Sequence, residues 1–224
     1  MALPELKPQR LWDLPVRLTH WALLALVLFS WWSGENGELA WHRYSGYAVL
    51  ALLLFRLYWG FAGSSSARFR GFVRGPRAVA AYARGLFARP APASVGHNPM
   101  GGWSVLALLA VLLAQTGSGL FAVDTDGLES GPLSHWLSFS AGRAAAEFHE
   151  LCFDALLALV GLHVAAIAFY AVYRRENLVA AMLGGRKRLP PGAADGLRFA
   201  PLWKAALGLA GAALLVVAIV RGLG

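Results

Sequence analysis

Apolar residues in this chain gather into five long runs, near residues 15–33, 41–62, 101–123, 147–173 and 202–220, separated by polar connections rich in charge, glycine and proline. None shows the strict alternation of a half-buried strand or the narrow stripe of a helix that covers a soluble core. Each reaches or approaches the roughly 20 apolar residues needed to cross about 30 Å of hydrocarbon. In that medium backbone N–H and C=O groups must be satisfied without water, so each run is predicted to be helical. Asp13 and Pro15 mark where the first helix starts, the one favouring the helix N-terminus and the other suited to its first turn.

Composition fixes the class. Of 224 residues, 58% are hydrophobic and 14% charged, and the mean hydropathy is +0.53. The chain is predicted to be an all-α membrane protein. The first run has a basic front and an apolar middle, but Ser30-Trp31-Trp32-Ser33 offers no small-residue cleavage site, so it is read as a retained anchor.

The net charge of +8 does not point to nucleic acid, because the basic residues occupy particular connections rather than one stripe. Lys7, Arg10 and Arg17 precede or open the first helix. Arg68, Arg70, Arg74, Arg77, Arg84 and Arg89 lie between the second and third, and Arg174, Arg175, Arg186, Lys187, Arg188 and Arg198 between the fourth and fifth. The opposite connections carry Glu35, Glu38, Asp124, Asp126 and Glu129. By the positive-inside rule the N-terminus is expected in the cytoplasm and the C-terminus outside. In the connection 63–99, Phe69, Phe72, Tyr82, Leu86 and Phe87 interleave with arginines, as expected of an interfacial segment on anionic membrane lipid. Pro190-Pro191-Gly192 sets the fifth helix apart. The expected organisation is a four-helix unit over 1–175, a basic linker over 176–200 and a further transmembrane helix over 201–224.

Candidate chemistry lies in the histidines. His149 and His163 are fourteen residues apart on one predicted helix, which returns the second imidazole to within about 40° of the first, roughly 21 Å along the axis. Antiparallel neighbours bring His42 level with His149 and His20 toward the level of His163. His20 lies nearer its helix end than His163 does, so the inner pair requires tilt or a projecting fourth helix. Two facing imidazoles are what a six-coordinate haem needs. Cys152 is the one cysteine, so no C-x-x-C-H exists and any haem is b-type. With both axial positions filled, electron transfer is favoured over oxygen or substrate activation. Arg17, three residues before His20, and Arg56, fourteen after His42, are placed to meet haem propionates at the inner level. Snorkelling of Arg56 to the surface is the alternative.

Other features read more plainly. Glu150 and Asp154, one turn apart, suit ion pairs with Arg43 or Arg143, and Glu147 is expected in solvent. Trp31, Trp32 and Trp41 read as an interfacial belt, His135 as an interfacial or partner contact, and Gly117-Ser118-Gly119 as close-packing positions.

Four sequence elements occur in order: Trp12-Asp13-x-Pro15-x-Arg17-x-x-His20-Trp21; His42-x-x-x-Gly46 with Arg56-x-x-Trp59-Gly60; Gly96-His97-Asn98-Pro99-x-Gly101-Gly102; and His149-Glu150 with Gly161-Leu162-His163. On these the chain resembles the prokaryotic cytochrome b561 superfamily, which includes the b-type cytochrome subunits of nickel-iron hydrogenases and membrane-bound formate dehydrogenases. The resemblance implies an antiparallel four-helix transmembrane bundle holding two haem b groups, one on His42 and His149 and the other on His20 and His163. It also implies quinone exchange near the inner haem, where Asn98 would hydrogen-bond a quinone carbonyl. His97 suits either a helix-start or surface role or proton delivery to the quinone. The expected function is electron transfer across the bacterial cytoplasmic membrane between the quinone pool and an outer-side partner: a periplasmic hydrogenase, a dehydrogenase or a c-type cytochrome. No motif here would bind nickel, flavin or an iron–sulfur cluster, so such chemistry would belong to another subunit. The alternatives are a histidine-based transition-metal transporter, which would require Met or carboxylate ligands converging with the imidazoles, and a structural anchor for a partner enzyme.

Overall fold

A computed structural model describes residues 6–88, 94–126 and 129–222; Arg89 lies outside the described residues. Five helices are long and apolar enough to cross a membrane: α1 (Leu14–Glu35), α2 (Leu39–Ala62), α5 (Pro99–Gly119), α6 (Phe139–Val172) and α8 (Leu202–Val220). Between them lie two short helices, α3 (Phe69–Phe72) and α4 (Pro76–Arg84), and after α6 a third, α7 (Leu178–Gly184). The protein is an integral membrane protein of the all-α class. Large apolar side chains on its perimeter, among them Leu28, Leu151, Leu162, Val164, Leu207 and Leu214, are exposed, as lipid contact requires.

Helix starts follow from local chemistry. Asp13 Oδ1 accepts from Val16 N (2.9 Å), Asn98 Oδ1 from Gly101 N (2.8 Å) and Ser138 Oγ from Ala141 N (3.3 Å), each satisfying an N–H that the first turn leaves free. Asp13 does more than cap α1. It is buried, and its Oδ2 accepts from Trp59 Nε1 at 2.9 Å, which ties the start of α1 to the end of α2.

In the bundle α1 lies on α2, α5 on α6, and α2 on α5. Halfway along, Val49, Leu53, Leu109, Leu112 and Leu156 form an apolar plug joined by Leu23 and Val27 of α1. Gly60 takes the ring of Phe69, which an added Cβ would meet at 2.0 Å, and Gly102 seats the backbone of Phe72 at 2.8 Å. The fifth spanning helix, α8, covers α2 from outside: the ring of Tyr58 rests on Gly208, where a Cβ would come within 2.2 Å, and Ala205 and Ala212 join Phe55 and Trp59 in one core cluster.

Several expectations are corrected. The third helix ends at Gly119, before residue 123, and the fourth begins at Phe139, because Ser138 caps a polar turn that an apolar run does not reveal. At 34 residues α6 is about 51 Å long and overshoots a 30 Å core. Residues 176–200 are not merely a linker. They fold into α7 and strand β2 (Arg186–Leu189), which pairs antiparallel with strand β1 (Lys7–Arg10), Lys7 facing Leu189 and Arg10 facing Arg186. Neither strand has apolar alternation, so the sequence carries no strand signal. Phe69 and Phe72 turn into the bundle rather than into lipid, and Phe72 is buried. Arg56 does not snorkel: it is 7% exposed, with its guanidinium 5.1 Å from the centre of the Phe69 ring. Arg43 pairs with Glu129, and Arg143 donates to Val123 O at 2.9 Å, so neither arginine is engaged by Glu150 or Asp154.

Candidate functional site

The bundle brings the four histidines together as two cross-helix pairs. At the end carrying the acidic connections, His42 of α2 and His149 of α6 have ring centres 5.9 Å apart, with planes at 74°. At the basic end, His20 of α1 and His163 of α6 have ring centres 6.4 Å apart, at 51°. An imidazole nitrogen binds a first-row metal at about 2 Å and its ring centre lies about 1 Å behind, so two trans imidazoles on one ion stand about 6 Å apart. Both pairs meet that spacing. Each borders its own cavity, of about 440 Å³ at the acidic end and about 520 Å³ at the basic end. Among the described residues no group of three or more His, Cys, Asp and Glu converges as a bare metal ion would need. Two opposed imidazoles with no further protein ligand suit an ion whose other positions come from a macrocycle.

At the acidic end the ring orientations are fixed. His42 Nδ1 lies 2.8 Å from Ser30 O, and His149 Nδ1 lies 2.8 Å from Gln115 O. A carbonyl only accepts, so Nδ1 carries the proton in both and Nε2 is the acceptor, a lone pair that in His149 takes the Gln115 amide and that a metal would use in its place. Close glycines make these contacts reachable: a Cβ at Gly34 would meet His42 Nδ1 at 3.0 Å, and one at Gly119 would meet His149 Cε1 at 3.0 Å. Gly46, one turn after His42, lines the cavity with no atom within 4 Å of where its Cβ would be. Gln115 Nε2 sits 2.9 Å from His149 Nε2, and Gln115 Oε1 is buried without a partner. Ser30, Gln115, Ser118 and Gly119 went unnoticed as histidine neighbours in the sequence. The glycines inside Gly117-Ser118-Gly119 were the one available signal, since mid-helix glycine often marks close approach.

The basic end has a more apolar wall with a few polar groups set in it. His20 Nδ1 is buried with no hydrogen-bond partner. His97 is held between Trp12 and Phe72, with ring centres at 4.7 and 4.6 Å, and its Nδ1 is also buried and unpartnered. Burial, and after it the charges of Arg56, His163, Lys187 and His20, push the His97 pKa down to about 3, so it is neutral at physiological pH. It stands directly before the Asn98 cap of α5, its ring enclosed by aromatic neighbours. Asn98 caps α5 and its Nδ2 donates to Tyr170 Oη at 2.7 Å, and Tyr170 shares a 2.6 Å hydrogen bond with Tyr82 of α4. Arg56 NH1 is buried and unpartnered. Arg17 is turned elsewhere: it donates to the carbonyls of Met182 and Leu183 at the end of α7. Lys187 and Glu176, in a 2.6 Å ion pair, line the same cavity.

A family model described as prokaryotic cytochrome b561 matches residues 11–185, which hold both histidine pairs and stop before α8. The chain belongs to the prokaryotic cytochrome b561 family. It is also 27% identical to a probable Ni/Fe-hydrogenase B-type cytochrome subunit of Azotobacter chroococcum mcd 1, over 78% of this chain and 86% of that one. No solved structure matches. As a member of the cytochrome b561 family the protein is a b-type cytochrome of electron transfer. Its haem b is held by ligation and packing, in keeping with Cys152 as the one cysteine.

Proposed function

We propose that this cytochrome holds two haem b groups, one between His42 and His149 and one between His20 and His163, and moves electrons across the bacterial cytoplasmic membrane between an outer-side redox partner and the quinone pool. The observation that carries this reading is the repetition of one imidazole spacing at two depths, each beside a cavity. The basic end is cytoplasmic and the acidic end outer, with the N-terminus inside and the C-terminus outside. Haem bound in this way supplies a one-electron carrier with no open coordination site.

The chain's own residues do the rest. Ser30 O and Gln115 O hold the outer imidazoles in the tautomer that presents Nε2. Arg56, buried with one guanidinium nitrogen unpaired, is a cation waiting for a carboxylate, and a propionate of the inner haem suits it. Arg17 contributes to the propionates only by releasing the α7 carbonyls. The inner cavity, apolar with Asn98 and His97 in its wall, takes the quinone, whose carbonyl accepts from the Asn98 amide. The likeness to a probable Ni/Fe-hydrogenase cytochrome subunit of Azotobacter supports a hydrogenase as the class of outer partner, and a dehydrogenase or c-type cytochrome would use the same surface. Purified, reduced protein should show a low-spin b-type spectrum with two haems per chain. A haem-free protein, or one that binds zinc or nickel in place of porphyrin, would sink the reading.

A further inference from the structure

The inner cavity has a charged pair in its wall that electron transfer alone does not use. Lys187 Nζ and Glu176 Oε1 are 2.6 Å apart, and their side chains are 12% and 35% exposed. Lys187 also donates to Ser94 O at 2.8 Å, which leaves the carboxylate as the partly solvated member. Both residues line the cavity that Asn98, Tyr170 and His97 also line. The placement of Glu176 depends on an unusual turn. Its N–H returns to Tyr170 O at 2.9 Å across the end of α6, and Arg175 takes φ +54°, the one described non-glycine residue in the left-handed region. Glycine is the usual residue there, so an arginine holds a strained conformation that reverses the chain. The reversal sets Glu176 between the cytoplasmic face and the cavity.

We infer that Glu176 is the proton-transfer group of the inner cavity, exchanging protons between the bound quinone and the cytoplasm, with Lys187 holding its carboxylate in place. This rests on the reading of that cavity as the quinone site. In the oxidising direction a quinol loses two electrons and two protons: two O–H bonds break, two carbonyls form, and two one-electron acceptors, the haem irons, are reduced. The protons pass to the Glu176 carboxylate and from it to cytoplasmic water; quinone reduction runs the same path backwards. The groups around Glu176 are Lys187 from β2, Tyr170 from α6 and Arg174 just after it, with Tyr82 of α4 and Asn98 behind Tyr170 and His97 beside Lys187.

The test uses the haem-loaded protein mixed anaerobically with decyl-ubiquinol in a stopped-flow instrument, following haem reduction. Glu176→Gln keeps the hydrogen bond to Lys187 and removes the titratable carboxylate. It should slow haem reduction by about a hundredfold, and Glu176→Asp should restore most of the rate. Lys187→Met, which keeps the carboxylate and removes the group that holds it, should slow haem reduction by less than Glu176→Gln does. Quenching of Trp12 and Trp21 fluorescence by decyl-ubiquinone, a binding readout independent of turnover, should change by no more than about twofold in Glu176→Gln. Wild-type rates in Glu176→Gln would overturn the inference and leave the quinone site standing. Wild-type protein that neither binds the quinone nor accepts electrons from the quinol would overturn both.

Discussion

At the acidic end both imidazoles give Nδ1–H to a backbone carbonyl, of Ser30 and of Gln115, and rest against glycines of α1 and α5. At the basic end Nδ1 of His20 is buried with no acceptor, and the pair borders a larger cavity walled by Asn98, His97, Tyr170 and the Lys187–Glu176 pair. One spacing therefore serves two settings. The first is pre-aligned by backbone groups that no side-chain motion disturbs, which suits a centre that only accepts and passes electrons. The second leaves ring nitrogens of His20 and His97 unmatched and sets the Lys187–Glu176 pair in a more apolar wall, which suits a place where a polar-headed molecule binds and exchanges protons.

The largest expected effects break the sites separately. Replacing His149 or His42 by alanine is predicted to lower bound haem from two per chain to one, read by pyridine haemochrome assay, and His20→Ala or His163→Ala should do the same at the other level. Loss of both groups from a single replacement would mean that the levels are not independent. Next, Gly46→Leu should put a side chain into the outer cavity and exclude the outer haem while sparing the inner one, since the site of its Cβ is open. A spectrum unchanged by this substitution would show that the cavity is not the haem's seat. Removing charge sharpens the contrast more gently. Arg56→Gln should lower the midpoint potential of the inner haem on the order of tens of millivolts, measured by redox titration, and leave the outer one in place, because a buried cation favours the reduced form of a nearby centre. Gln115→Leu, which spares the backbone carbonyl that orients His149, should retain both haems.

The smallest effect concerns pH. His97 titrates near 3 in the folded protein against 6.5 in the unfolded chain. Between those values the unfolded chain takes up a proton that the fold refuses, so stability falls as pH drops below about 6.5 and keeps falling toward about 3. His97→Phe, which keeps a ring between Trp12 and Phe72, should flatten that part of the acid-induced fall in thermal midpoint. An identical slope in the variant would show that other groups carry it.

Much of the fold was legible because lipid imposes a strong constraint: a run of about 20 apolar residues has one way to satisfy its backbone. Helix spacing then placed His149 and His163 on one face, and the alternation of basic and acidic connections matched the two ends of the bundle. The β1–β2 ladder was not legible, since Arg186, Lys187 and Arg188 have no alternation and pair through backbone groups alone. Nor was the inward turn of Phe69 and Phe72, whose seats are glycines on other helices. The role of Ser30 and Gln115 was hidden for a related reason, because the atoms used are main-chain oxygens that every residue carries.

By itself the sequence determined a membrane-embedded bundle and the levels at which its four intramembrane histidines sit, because hydrophobicity and helical period are local properties. Only the tertiary structure decided that His42 and His149 are oriented by carbonyls while His20 is not, that Arg56 is buried without a full set of partners, and that Glu176 and Lys187 meet in the inner cavity. Those facts depend on which backbone atoms of distant segments come within about 3 Å of each other, and no periodicity along one chain encodes that distance.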